Sequence, residues 1–147
     1  MTPLELAKFP LLAPLSEPER EAVAEELSVE EHAAGVSLFR AGDHADGAWF
    51  VAAGGVRVRA EGTPAVADFG AGEALGTLSL VIDGPREASA ETLSRTTLWR
   101  LSRSAYRRLV ANEPSAACRL LESIVREYAG AVREEVRRPE FDGERAG

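Results

Sequence analysis

The chain has 147 residues and a net charge of −7, with 45% hydrophobic and 28% charged residues, an ordinary composition for a globular protein able to bury one core. No apolar run is long enough to span a membrane and no signal-peptide pattern opens the chain, so no membrane partner and a cytoplasmic location are expected. A single cysteine, Cys118, excludes an internal disulfide, and His32 and His44 have no partner at helical spacing, so no metal or cofactor is expected.

The acidic excess is concentrated at the start. Residues 1–31 hold eight glutamates (Glu5, Glu17, Glu19, Glu21, Glu25, Glu26, Glu30, Glu31) against Lys8 and Arg20. The run reads as a solvated helix face. A chain so charged is a poor candidate for phosphate-backbone binding, and no nucleic-acid partner is expected.

Thr2-Pro3 starts a short helical turn over Leu4 to Lys8. Ser16 and Glu19 form a capping box, and Pro18 sits in the first turn of a helix running to about Leu27, with Ala22, Val23 and Leu27 on one side. From Ser28 the period shortens to two. Val29 to Ala33, Val36 to Phe39, Trp49 to Val51, Val56 to Arg59 and Val66 to Phe69 read as short strands. Turns at Gly35, Gly42-Asp43, Asp46-Gly47, Gly54-Gly55 and Gly62 separate them. Arg86 to Leu93 and Thr96 to Leu101 are two further strands. Ser102 or Ser104 then caps a helix holding Tyr106, Leu109 and Val110, which Asn112-Glu113-Pro114 ends. A second helix is predicted from Ser115 to Arg138. Cys118, Leu121, Val125, Tyr128 and Val132 form its apolar stripe, widened by Leu120 and Ile124. Pro139 stops it, and 139–147 reads as a frayed tail.

The expected fold is therefore mainly β with flanking helices: a β-barrel or double-sheet jelly roll at 28–101, a helical N-terminus at 1–27 and two C-terminal helices at 102–138, in one domain. Its centre is Gly72 to Ala90, GEALGTLSLVIDGPREASA. A Gly-flanked turn and a short apolar segment lead to Asp83-Gly84-Pro85 and a lone arginine, Arg86. Turn amides and a guanidinium together suit an anion. The same residues also read as a loop with a solvated arginine.

LAKFPLLAPLSEPEREAVAEEL, GVSLFRAGDHADGAWFVAAGGVRV, GEALGTLSL, GPREASA and LWRLSRSAYRRLVANEP, in that order over residues 4–114, resemble the cyclic nucleotide-binding domain family. This is the sensor domain of catabolite activator-type regulators, protein kinase A regulatory subunits and gated channels. The resemblance implies that residues 76–80 form a short helix facing a cyclic phosphate, held against the barrel by Leu75 and Leu78. Arg86 would pair with an equatorial phosphate oxygen. The implied ligand is cAMP or cGMP, and its contacts are Gly76, Thr77, Leu78, Ser79, Arg86, Glu87 and Ala88, with Tyr128 of the last helix as a lid over the base. A homodimer through that helix is also implied.

Two positions differ from the family's pattern. Thr77 stands where a glutamate usually accepts a hydrogen bond from the ribose 2′-OH. Losing such a bond costs about 1.5–3 kcal/mol, or roughly ten- to a hundredfold in affinity. Glu87 stands where a small residue is usual; facing inward it repels the ligand or pairs with Arg86, and facing solvent it matters little. Two functions remain open: a sensor that relays a bound anion through the last helix, or a divergent module that binds a protein partner. The family's DNA-binding regulators carry a helix-turn-helix after the long helix; with so few residues after Pro139 in this sequence, a DNA-binding regulator is not expected. No enzyme is expected, because no nucleophile is paired with a base; Ser79 and Ser89 read as structural hydroxyls.

Overall fold

Strand β3 (Gly47–Ala53) explains the architecture. Its side chains alternate between two cores: Ala48 and Phe50 pack with the helices, while Trp49 and Val51 pack between the sheets. A strand buried on both faces needs a continuous apolar run rather than polar alternation, which is what GAWFVAA supplies. β8 (Thr96–Ser102) does the same, with Trp99 and Leu101 towards the helices and Leu98 towards the sheets.

The computed structural model describes residues 1–137. After α1 (Pro3–Leu6) and α2 (Glu17–Glu26) come β1 (Ser28–His32), β2 (Ser37–Phe39), β3, β4 (Gly55–Ala60), β5 (Val66–Gly70) and β6 (Ala74–Leu75). A 3-10 turn (Thr77–Leu80), β7 (Ala88–Thr92), β8, α3 (Arg103–Asn112) and α4 (Pro114–Arg137) follow. The eight strands form two four-stranded antiparallel sheets, ordered β1-β8-β3-β6 and β2-β7-β4-β5. This is the jelly roll with flanking helices that the sequence predicts.

The capping box forms as expected: Glu19 N donates to Ser16 Oγ (3.3 Å) and Ser16 N donates to Glu19 Oε1 (2.8 Å). The bond from the Ser16 amide holds the Glu19 carboxyl below its usual range. Arg20, one turn into α2, donates to the carbonyls of Leu15 and Ala13, tying the Leu11–Leu15 knot to the helix. Phe9 from that knot meets Phe50 edge-on at 5.4 Å between ring centroids.

Several boundaries differ from the sequence reading. The first helical turn is Pro3–Leu6, one residue earlier than expected, because Thr2 Oγ1 accepts from Glu5 N and caps it. Of the two proposed caps for α3, Ser102 is used, accepting from Ala105 N. β7 begins at Ala88, two residues later than expected. Arg86 instead bonds into the loop before β3, donating from its amide to Asp43 O and accepting from Gly42 N. On α4 the buried face is Ala116, Ala117, Leu120, Ser123 and Ile124. The stripe Cys118, Leu121, Val125, Tyr128 and Val132 lies on the exposed side, with Val136 continuing it. Both faces carry apolar residues, so periodicity alone did not say which one meets the barrel. Pro139 and the 139–147 tail lie outside the described residues.

Phe50 has no exposed surface, so Phe50→Ala is expected to cost about 3–5 kcal/mol in urea denaturation. Val66→Ala, at an exposed position of β5, should stay within about 0.5 kcal/mol of wild type. Equal effects from the two would contradict this account of the core.

Candidate functional site

Arg86 sits where the loop after the 3-10 turn meets the loop before β3. Only 7% of its surface is exposed. Nη1 donates to Ser79 Oγ (3.2 Å) and Nη2 donates to Gly47 O (3.0 Å). Its guanidinium carbon lies 4.4 Å from the Phe39 ring centroid and 5.0 Å from that of Trp49; the two rings are themselves stacked 5.5 Å apart. Nε is buried without an acceptor. Burial pulls the guanidinium below its ordinary value, with Asp46 acting the other way. Asp46 is only a partial counter-ion: it lies 3.9 Å from Arg86 but 2.6 Å from Arg100, which stacks on Trp49.

The surrounding glycines follow from this packing. Gly76 has φ +75°, and a Cβ there would come within 2.9 Å of Arg86 Nη1 and 3.1 Å of Gly47 O. Gly47 lies so close to β8 that a Cβ would stand 2.5 Å from Leu101 O. Both residues leave room for backbone and guanidinium rather than supplying turn geometry alone. The 3-10 turn begins at once after Gly76, with Ser79 N donating to Gly76 O (3.0 Å). The amides of Thr77 and Leu78 precede that first bond and are the groups a helical turn leaves open at its start.

A cavity of about 500 Å³ opens beside Arg86, within the range of small-molecule sites. Gly76, Leu78, Ser79, Arg86, Glu87, Ala88 and Tyr128 all line it, as do Phe39, Val58 and Phe69 from the β2-β7-β4-β5 sheet. Seven of the eight residues named from the sequence thus meet at one cavity. Thr77 is the exception. It is buried and lines a smaller neighbouring space with Glu127, Tyr128 and Ala131. Burial and Glu73 push the Glu127 carboxyl up there. Leu78 does not pin the turn to the barrel as expected: it is 39% exposed, and Leu75 and Leu80 are the buried anchors. A 3-10 turn rotates successive side chains by a third of a circle, which places Thr77 and Leu80 inside together and turns Leu78 out to the cavity. Glu87 is exposed at the rim, and the polar contacts of the Arg86 guanidinium go to Ser79, Gly47 and Asp46. Both serine hydroxyls named from the sequence accept hydrogen bonds: Ser79 Oγ from Arg86 Nη1 (3.2 Å) and Ser89 Oγ from Ala41 N (2.9 Å).

The sequence reading missed Arg103, whose guanidinium reaches Ser79 O, Ala45 O, Ile82 O and the Asp83 carboxylate. A basic residue in the first turn of a helix opposes the helix dipole, and that misfit was the available signal. Among the described residues no group of three or more His, Cys, Asp or Glu is placed to hold a metal ion, and no helix is long and apolar enough to cross a membrane.

Residues 29–113 match the model of the cyclic nucleotide-binding domain, and the chain belongs to that family. An HTH-type transcriptional regulator, Cmr, of Mycobacterium tuberculosis is 33% identical over 126 residues, covering 81% of this chain and 50% of the regulator. A cAMP-dependent protein kinase regulatory subunit of Debaryomyces hansenii is 28% identical over 100 residues, covering 68% of this chain and 22% of the subunit. The chain thus spans half or less of either relative. The N-terminal domain of a Streptomyces coelicolor transcriptional regulator superposes with a TM-score of 0.75 at 27% identity, over 86% of this chain and 94% of that one.

Gly76→Ala places a Cβ against Arg86 in a left-handed backbone, and a loss of about 1–2 kcal/mol is expected from the backbone term alone. A urea midpoint equal to that of wild type would show that this approach is not tight.

Proposed function

We propose that this chain is a sensor whose cavity takes a cyclic nucleotide, cAMP or cGMP, and whose last helix relays occupancy. The observation that carries the reading is Arg86: a buried cation beside a cavity of about 500 Å³, with Nε lacking an acceptor and its counter-ion drawn off by Arg100. A cyclic phosphate is a singly charged anion with oxygens that suit a guanidinium fork. In this reading Arg86 takes a phosphate oxygen and the 3-10 turn after Gly76 offers the open amides of Thr77 and Leu78. Phe39, Val58 and Phe69 supply the apolar wall, and Tyr128 covers the base. Ala88 and Glu87 border the sugar–phosphate side. The same reading makes the protein a cytoplasmic binding protein rather than an enzyme, with no nucleic-acid or membrane partner.

A second reading rests on Thr77. The residue in the ribose-binding place is turned into a side space, and a carboxylate stands at the rim. Thr77 turned away weakens nucleotide binding and favours a module that binds a protein partner, while Glu87, exposed and unpaired with Arg86, adds little against it. The exposed stripe Leu121, Val125, Tyr128, Val132 and Val136 on α4 serves either reading as a homodimer seam.

Calorimetry with cAMP and cGMP separates the two readings. The sensor reading expects heat on titration and at least about a thirtyfold loss of affinity in Arg86→Ala. No heat with either nucleotide at millimolar concentration, with a protein partner still captured by Arg86→Ala, would favour the interaction module. For the seam, light scattering is expected to give a dimer mass for wild type and a monomer mass for Val125→Glu. A monomeric wild type at high micromolar concentration would contradict the seam.

A further inference from the structure

Arg103 opens α3, where the helix dipole disfavours a positive side chain. Its side chain is nevertheless only 12% exposed. Nε donates to Ser79 O (2.9 Å), Nη1 donates to Asp83 Oδ1 (3.0 Å), and Nη2 donates to Ala45 O (2.6 Å) and Ile82 O (2.8 Å). Its backbone amide donates to Asp46 O (2.6 Å). These acceptors come from the 3-10 turn, from the loop that follows it and from the loop entering β3. One residue of a helix therefore gathers both loops that frame Arg86.

Ser79 is gripped twice. Its hydroxyl accepts from Arg86 Nη1 and its carbonyl accepts from Arg103 Nε. A movement of Ser79 at the cavity wall is felt at the first turn of α3. From there Tyr106 OH donates to Ala117 O (3.4 Å), linking α3 to α4. We infer that Arg103 is the positioning residue that couples the ligand-facing turn to α3, so that occupancy at Arg86 reaches the helix pair through Ser79 and Arg103. The coupling to ligand rests on the cyclic nucleotide reading; the latch itself does not.

The fork matters as much as the charge. Three guanidinium nitrogens serve four acceptors, which one ammonium cannot do. Arg103→Gln and Arg103→Lys, with unchanged far-UV circular dichroism, are compared with wild type by hydrogen exchange in the full chain. Without ligand, Arg103→Gln should raise exchange about tenfold or more both at the Ser79, Val81 and Ile82 amides and in the first turn of α3, with Arg103→Lys rescuing only part of this. A rise confined to α3 would overturn the latch. With cAMP, protection should spread from residues 77–84 into 103–112 in wild type and stop at the loop in Arg103→Gln. Equal spread in both proteins would overturn the coupling. If calorimetry finds no nucleotide bound by wild type, the ligand reading fails and the ligand-free comparison alone decides the latch. If Arg103→Gln does not fold, Asp83→Ala removes one of the four side-chain contacts and carries the ligand-free comparison, with the same two regions expected to respond together.

Discussion

A guanidinium taken out of water and left one acceptor short sets the terms for this half of the molecule. Burying an ion costs several kcal/mol unless its partners replace the lost hydration. Around Arg86 the replacement is partial: one carbonyl, one hydroxyl, two aromatic faces and a carboxylate shared with Arg100. Each aromatic face contributes about 0.5–2 kcal/mol. A fold accepts such a cation where its rigid surroundings hold it, and an anion delivered from the cavity would complete its coordination. Gly76 and Gly47, Ser79 on the turn and the stacked Phe39 and Trp49 all read as consequences of holding this one group.

Rigidity comes from the sheet behind it. β3 and β8 are buried on both faces, so the loop at 42–46 hangs from a strand fixed by two cores. That loop is zipped to residues 84–86 by three backbone bonds and to α3 by a fourth. The wall of the cavity at the 3-10 turn is therefore continuous with the helix pair. Leu78 and Glu87 stand exposed at the rim of the same cavity.

The sequence carried most of this, unevenly. The two-residue period and the glycine turns specified the sheets, and the capping box at Ser16 placed the start of α2 to the residue. The Gly-rich turn and Arg86 were legible because their chemistry is local: amides, a guanidinium and a proline-bounded loop. What escaped depended on rotation and distance. Thr77 and Leu78 traded places because packing sets which side of a one-turn helix faces in: Thr77 and Leu80, three residues apart, share the buried side. The two faces of α4 are both apolar, so only tertiary contact shows that Leu120 and Ile124 face inward. Arg103 escaped notice because three of its four side-chain acceptors are main-chain carbonyls, and all four are far away in sequence.

The Arg86 Nε–H resonance offers the most direct view of the central interaction. It belongs to the group that lacks an acceptor, and NMR of side-chain guanidinium groups follows it alone. Titration with cAMP should shift this resonance strongly as a phosphate oxygen arrives, while adenosine, with the same base and sugar but no phosphate, should leave it in place. An unmoved Nε–H at saturating cAMP, or an equal shift with adenosine, would contradict the account.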